Sequence, residues 1–200
     1  MPRFLHVGCG KKRKDQTLRP FKSLEWEEVT LDIDEGVMPD IVDKLPELAK
    51  VESSSFDAVF SSHNVEHLYP HDVLPAFKAF YRVLKDDGLL IVTCPDLQSL
   101  GEKLACGDID TPLYESAAGP ISPIDVLYGF RPAMAEGNLY MAHHTGYTAK
   151  SMETVCARAG FASIAVARRP SKYDLWTVAT KTPKAQDDLR ALAKIYISPV

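Results

Sequence analysis

At 200 residues the chain has the length of a single domain, near the usual ~100–200 residues. Hydrophobic residues make up 46% and charged residues 25%, enough apolar surface to bury a sizeable core. A formal charge of −4 excludes a global electrostatic pull towards nucleic acid or an anionic membrane.

Short apolar runs alternate with helical patterns along the chain. Residues 3–7 read as a strand running into Gly8-Cys9-Gly10. The basic run Lys11-Lys12-Arg13-Lys14 reads as a solvated loop, and Pro20 curtails the helix that would join the first two strands. Residues 29–33 form a second strand carrying Asp32, and residues 40–42 a very short third. "FDAVFS" at 56–61 is a fourth and "LLIVT" at 89–93 a fifth. Continuous apolar character of this kind suits strands buried on both faces of a parallel sheet.

Between the fourth and fifth strands, Val73, Phe77, Phe80, Tyr81 and Leu84 recur at helical spacing. Pro70 and Pro75 fall in or near the first turn, and Asp87-Gly88 is the expected terminator. Thr148 caps a later helix whose apolar face is Met152, Val155, Cys156 and Ala159, with Gly160 as its stop. Residues 161–167 and 175–180 then make two strands joined through Pro170-Ser171-Lys172, an antiparallel hairpin at the end of the sheet. Residues 185–195 suit a short surface helix.

This alternation predicts an α/β fold, a doubly wound and mostly parallel seven-strand sheet of Rossmann-like type with an antiparallel last strand. Residues 1–200 are expected to form one domain, with a lid insertion at about residues 97–147. Loops that long inside a compact domain are usually functional, and the apolar content of "PISPIDVLYGF" favours a packed lid.

Cys9, Cys94, Cys106 and Cys156 are widely spaced, with no Cys-x-x-Cys pair, so neither a disulfide scaffold nor a thiolate zinc site is expected. The apolar start reaches Gly8 too soon for a signal peptide, and no apolar run approaches the ~20 residues that span a bilayer. A reducing, cytoplasmic setting follows as the expectation, with no membrane partner and no strong nucleic-acid signal.

In open α/β sheets the ligand lies beyond the carboxyl ends of the strands. Three segments fall there: Gly8-Cys9-Gly10, whose small residues admit close backbone approach; Asp32, whose carboxylate can accept both hydroxyls of a ribose; and Ser61-Ser62-His63. A dinucleotide needs a third glycine where this chain has Arg13, which disfavours a nicotinamide oxidoreductase.

Taken in order, "FLHVGCG", "VTLDID", "DIVDKL", "SFDAVFSSHNVEHL", "FYRVLKDDGLLIVTCPDL" and "ETVCARAGF" resemble the class I S-adenosylmethionine-dependent methyltransferases, over roughly residues 3 to 181. The resemblance is closest to small bacterial members with His-x-x-Glu-His after the fourth strand. It implies S-adenosylmethionine as cofactor and a small-molecule acceptor. It places Gly8 and Gly10 under the methionine part, Asp32 on the ribose hydroxyls, Asp43 on the adenine amino group, and Ser61 and His63 beside the methionine moiety and the reacting methyl. His6 stands where the family often carries a carboxylate and joins the cofactor-lining set, and Lys12 replaces a usual third glycine.

Two histidine segments need a reading of their own. "SSHNVEH", residues 61–67, contains His-x-x-Glu-His, the order of two zinc ligands and a general base in one peptidase class. A zinc-dependent hydrolase through His63, Glu66 and His67 is therefore an alternative, but Pro70 leaves little room for the helix it needs, and no metal is expected. "MAHHTGYT", residues 141–148, carries two histidines that can orient or deprotonate an acceptor. His63 and His143 are accordingly the expected catalytic residues. A non-catalytic module that binds S-adenosylmethionine is the remaining alternative, kept open by His6 and Lys12.

Overall fold

The computed structural model describes residues 1–116 and 118–197. In chain order the elements are β1 (Arg3–Val7), β2 (Glu27–Asp32), β3 (Ile41–Val42), β4 (Phe56–Ser62), α1 (Pro70–Val83), β5 (Leu84–Pro95) and α2 (Leu97–Leu104). They continue with β6 (Tyr114–Ser116), β7 (Gly119–Ile121), α3 (Pro123–Tyr128), α4 (Arg131–Ala135), α5 (Ala149–Ala159), β8 (Ser163–Arg169), β9 (Asp174–Thr180) and α6 (Gln186–Tyr196). Seven strands form one sheet in the order β3-β2-β1-β4-β5-β9-β8, and β6 and β7 form a separate ribbon. Strands β1 to β5 pair in parallel, while β9 runs antiparallel between β5 and β8. This is the predicted sheet, with the last strand of the chain as its antiparallel member.

Side-chain alternation along the strands gives the sheet two dry faces. Leu5, Val7, Leu31, Val59, Leu90 and Val92 point to one face, where α1 supplies Phe77 and Phe80 and α5 supplies Met152 and Cys156. Phe4, Phe60, Ile91, Trp176 and Val178 point to the other. There Phe21 stacks on Phe4 at a centroid distance of 4.2 Å and meets Trp26 edge-on at 5.0 Å. Pro20 does exclude a long crossover helix: two 3-10 turns, Arg19–Lys22 and Lys14–Gln16, join β1 to β2 instead. Their aromatic cargo, rather than a helix, fills that side.

Two sequence expectations give way to tertiary packing. Helix α1 stops at Val83, not at Asp87-Gly88, because the fully buried Leu84 already pairs with Phe56 of β4. Asp87-Gly88 therefore lies inside β5, next to a register shift, where a Cβ on Gly88 would stand 3.0 Å from Leu84 and from the Lys85 carbonyl. The C-terminal helix is also more than a surface element. Tyr196 of α6 is buried against Phe21, at 5.5 Å between centroids, so α6 closes the second face.

Residues 97–147 carry their own structure: α2, the β6–β7 ribbon, α3, α4 and a 3-10 turn at Leu139–Met141. The two ends of this excursion meet, since the Leu97 N–H donates to the Tyr147 carbonyl at 2.9 Å. Gly146 permits the closure, because a Cβ there would come within 2.2 Å of the Leu97 side chain. Its inner brace is Asp125, which accepts from the Ser122 N–H at 3.0 Å, the Ser122 hydroxyl at 2.6 Å and Arg131 Nε at 2.7 Å. Desolvation opposes ionisation of Asp125, but the Arg131 and Ser122 hydrogen bonds prevail and hold its carboxyl at about 2. Among the described residues no helix is long and apolar enough to cross a membrane.

Two outcomes follow from this packing. Phe21→Ala empties the centre of the second face and is expected to cost about 3–5 kcal/mol, read from urea unfolding midpoints. A depressed carboxyl contributes stability above its unfolded value near ~3.9 and loses it as pH falls towards the folded value. Unfolding midpoints of the wild type are thus expected to drop between pH ~4 and ~2 by an amount that Asp125→Asn no longer shows.

Candidate active site

The strand order reverses direction at β1, which pairs with β2 on one side and β4 on the other. At such a switch point the loops leaving adjacent strands part and leave a crevice at their carboxyl ends. Both Gly8, at φ +67°, and Gly10, at φ +53°, take left-handed backbone in the turn after β1. At Gly8 an added Cβ would fall 2.3 Å from Asn64 Cγ, so the bare backbone lets the loop after β4 lie over the turn. At Gly10 an added Cβ would meet none of the described residues within 4 Å, so that backbone looks into open space among them.

Asp32 ends β2 and ties the two sides of the crevice together. Its Oδ2 accepts from the Gly10 N–H at 2.8 Å, and its Oδ1 from the Asp34 N–H at 3.0 Å. Asp43 follows β3, and its N–H donates to the Asp32 carbonyl at 3.1 Å. The Asp43 carboxylate accepts from the Lys44 and Lys50 N–H groups, both at 2.8 Å. Each carboxylate accepts one backbone N–H at each of its two oxygens, which leaves further lone pairs for a ligand.

Ser61 is fully buried and its hydroxyl accepts from Asn64 Nδ2 at 3.1 Å. His6 is buried as well, with Nδ1 2.8 Å from Glu28 Oε1, while Glu28 Oε2 accepts from the Lys14 N–H at 2.7 Å. Its polar contact is thus with Glu28 on the neighbouring strand, whose other oxygen holds the loop after Gly10. Cys9 is buried, and burial with the Asp32 charge pushes its thiol up to about 11, which leaves it protonated and unsuited to nucleophilic attack.

Residues 5–92 match the family model described as "Methyltransferase domain". Solved structures share the fold at low identity. The PH0226 protein of Pyrococcus horikoshii OT3 is 18% identical, with 89% of this chain and 81% of that one covered at a TM-score of 0.60. A SAM-dependent methyltransferase from Archaeoglobus fulgidus is 16% identical over 89% and 85%, at 0.57. The 1,6-didemethyltoxoflavin-N1-methyltransferase of Burkholderia thailandensis, solved with 1,6-didemethyltoxoflavin and S-adenosylhomocysteine, is 16% identical over 91% and 72%, at 0.56. Over residues 5–92 the chain is thus similar to a methyltransferase domain, and its fold is the one seen in S-adenosylmethionine-dependent methyltransferases. No curated protein sequence matches it.

The crevice fits that cofactor: open backbone at Gly10, an acid at the end of β2 and a second acid after β3 lie on consecutive parallel strands. On the far side of β4 the chain carries a second constellation. His63 takes left-handed backbone at φ +49°, an uncommon state for a non-glycine residue and one that collects at functional sites. Its N–H donates to the Thr93 carbonyl of β5 at 2.9 Å, and its ring, 48% exposed, stands 3.4 Å from Glu66 Oε1. Desolvation disfavours the His63 cation, but the Glu66 contact and charge prevail, so its pKa lies above the ordinary imidazole value. Desolvation likewise opposes the Glu66 carboxylate, and the facing His63, then His67 and His143, hold it below the ordinary range.

The peptidase reading of "SSHNVEH" loses its geometry. Residues Val65–His67 form a 3-10 turn and α1 begins only at Pro70, so no continuous helix carries both histidines. Instead the return of the 97–147 excursion brings a distant histidine in. The Glu66 carbonyl accepts from the His144 and Thr145 N–H groups at 3.0 and 3.2 Å, and Tyr147 donates its hydroxyl to the Val65 carbonyl at 3.2 Å. His143 thereby packs edge-on to His67 at 4.8 Å between ring centroids. The sequence singled out His63 and His143 but did not reveal their link through Glu66 and His67. It also passed over Asn64, whose only signal is its place between Ser61 and His67.

Gly8→Ala is expected to destabilise the protein by more than about 1 kcal/mol, through both positive φ and the collision with Asn64. Adding Asn64→Ala is expected to recover the steric part alone, as read by a partial return of the urea midpoint.

Proposed function

We propose that the protein transfers a methyl group from S-adenosylmethionine to a small-molecule acceptor enclosed by residues 97–147. The observation that carries this reading is Asp32, set at the end of β2 and fastened to the Gly10 N–H across the mouth of the sheet. Within the reading, the Asp32 carboxylate accepts the ribose hydroxyls and Asp43 meets the adenine amino group. Gly8 and Gly10 lie under the methionine portion, with Ser61 and His63 along its side. His6 serves them indirectly through Glu28 and Lys14.

The cofactor supplies an electrophilic methyl on a positively charged sulfur, so the residues of the chain are left with alignment and exclusion of water. His63 and His143 border the acceptor side, one leaving β4 and the other returning from the excursion. Support for a small acceptor comes from the Burkholderia thailandensis relative, which holds 1,6-didemethyltoxoflavin. A module that binds without turnover differs only in outcome, and transfer of a labelled methyl group to a panel of small acceptors separates the two.

Asp32→Ala is expected to weaken S-adenosylmethionine binding by about 1–3 kcal/mol by calorimetric titration, with Asp32→Asn closer to wild type. S-adenosylhomocysteine is expected to follow the same order and NAD to give no heat. An unchanged dissociation constant in Asp32→Ala would remove the ribose assignment.

A further inference from the structure

Glu66 is buried to 1% exposure, and its Oε2 has no hydrogen-bond partner among the described residues. An unpaired buried acceptor costs about 1–3 kcal/mol, and more when charged, so such an oxygen calls for an occupant. Two imidazoles stand beside the Glu66 carboxylate. His67 Nδ1 lies 3.0 Å from the Ala142 carbonyl, and His143 Nδ1 lies 2.8 Å from the Val126 carbonyl. A carbonyl only accepts, so both Nδ1 atoms donate and each neutral ring keeps its free lone pair on Nε2. Orientation of this kind, one ring nitrogen donating to a backbone carbonyl while the other stays free, is how proteins prepare histidines for metals. One ligand atom from each of Glu66, His67 and His143 lies within 4.8 Å of the others.

We propose that Glu66, His67 and His143 bind a divalent first-row transition-metal ion with Zn²⁺ as the reference. Two imidazoles and one carboxylate make a borderline donor set that suits Zn²⁺ and its neighbours rather than Mg²⁺ or Ca²⁺. Ligands about 2.1 Å from the ion stand roughly 3.4 Å apart in a tetrahedron, so pairs within 4.8 Å close by up to about 1.4 Å as the ion binds. Three protein ligands leave the ion open on one side, as in catalytic rather than structural zinc sites. His67 and His143 are only half-buried, which gives the ion a path in.

The site depends on chain closure. His143 is placed by its own N–H, which donates to the Tyr128 carbonyl at 3.0 Å, and by Gly129, where a Cβ would overlap the Met141 carbonyl at 1.9 Å. His63 stands outside the triad but touches Glu66 Oε1, so it orients the carboxylate and holds Oε2 for the ion. Resting on the methyltransferase reading, the open coordination position would receive an oxygen of the methyl acceptor and fix it beside His63. No metal was expected from the sequence, because Pro70 leaves little room for the helix that would carry His63 and His67.

The test uses the full chain, stripped with chelator and dialysed against Zn²⁺ or Co²⁺. One equivalent per chain is expected, with the visible absorption of low-coordinate Co²⁺ and a raised melting temperature. Glu66→Gln, His67→Asn and His143→Gln are each expected to weaken uptake by about 100-fold or more, and His63→Ala by about 10-fold. Circular dichroism confirms that each variant folds, and wild-type stoichiometry and the Co²⁺ spectrum stand without any variant. Substoichiometric uptake, or uptake insensitive to all three ligand variants, overturns the proposal, as does loss in His63→Ala with none in His143→Gln. S-adenosylhomocysteine titration of the stripped protein reports the cofactor half separately, so failure of one reading leaves the other measurable.

Discussion

Burial of the central strands on both faces is the constraint from which the architecture follows. Strands β1 and β4 are covered by α1 and α5 on one side and by Phe21, Trp26 and α6 on the other. A polar group along their length must be paired, as His6 is with Glu28, or be expelled to a strand end. Chemistry accordingly gathers at the carboxyl ends, where the backbone turns away from the sheet and the switch in strand order opens a crevice. Gly8, Asp32 and Ser61 all sit there for this one reason.

The same edge is divided by β4 into two neighbourhoods of different character. Towards β1 and β2 the groups are glycine backbone and carboxylates, which match a nucleoside with a cationic sulfur. Towards β5 and the excursion they are imidazoles around one buried acid. His63 belongs to both, since its left-handed backbone turns it out of β4 while its ring stays on Glu66. The strain at that residue is held by the Thr93 carbonyl, and it lies between the places proposed for the cofactor and for the acceptor.

Residues 97–147 show how a long excursion becomes a defined wall. Its ends are joined at Leu97 and Tyr147, and its return is sewn to the Glu66 carbonyl by two N–H groups. Asp125 with Ser122 and Arg131 makes a charge-assisted brace inside it. The cost of ordering so many residues is offset at these few points, and they are also the points that set His143 beside His67.

Much of the fold was legible residue by residue. Apolar runs bounded by glycine and acid located β1, β4 and the core of β5, and Thr148 with Gly160 marked α5 at both ends, because strand burial and helix capping are local demands on local sequence. The end of α1 was misplaced, since Leu84 obeys its pairing with Phe56 rather than the nearby Asp87-Gly88. The turns that carry Gly8, Gly10 and Asp32 were equally readable, as they are fixed by neighbouring strands. Partners far apart in the chain were not. Glu66 and His143 lie 77 positions apart, and no periodicity or spacing relates them. Their meeting is decided by Gly129, Gly146 and the backbone bonds that close the excursion, so sequence alone determined the sheet and its acids, and only tertiary structure determined what faces them across β4.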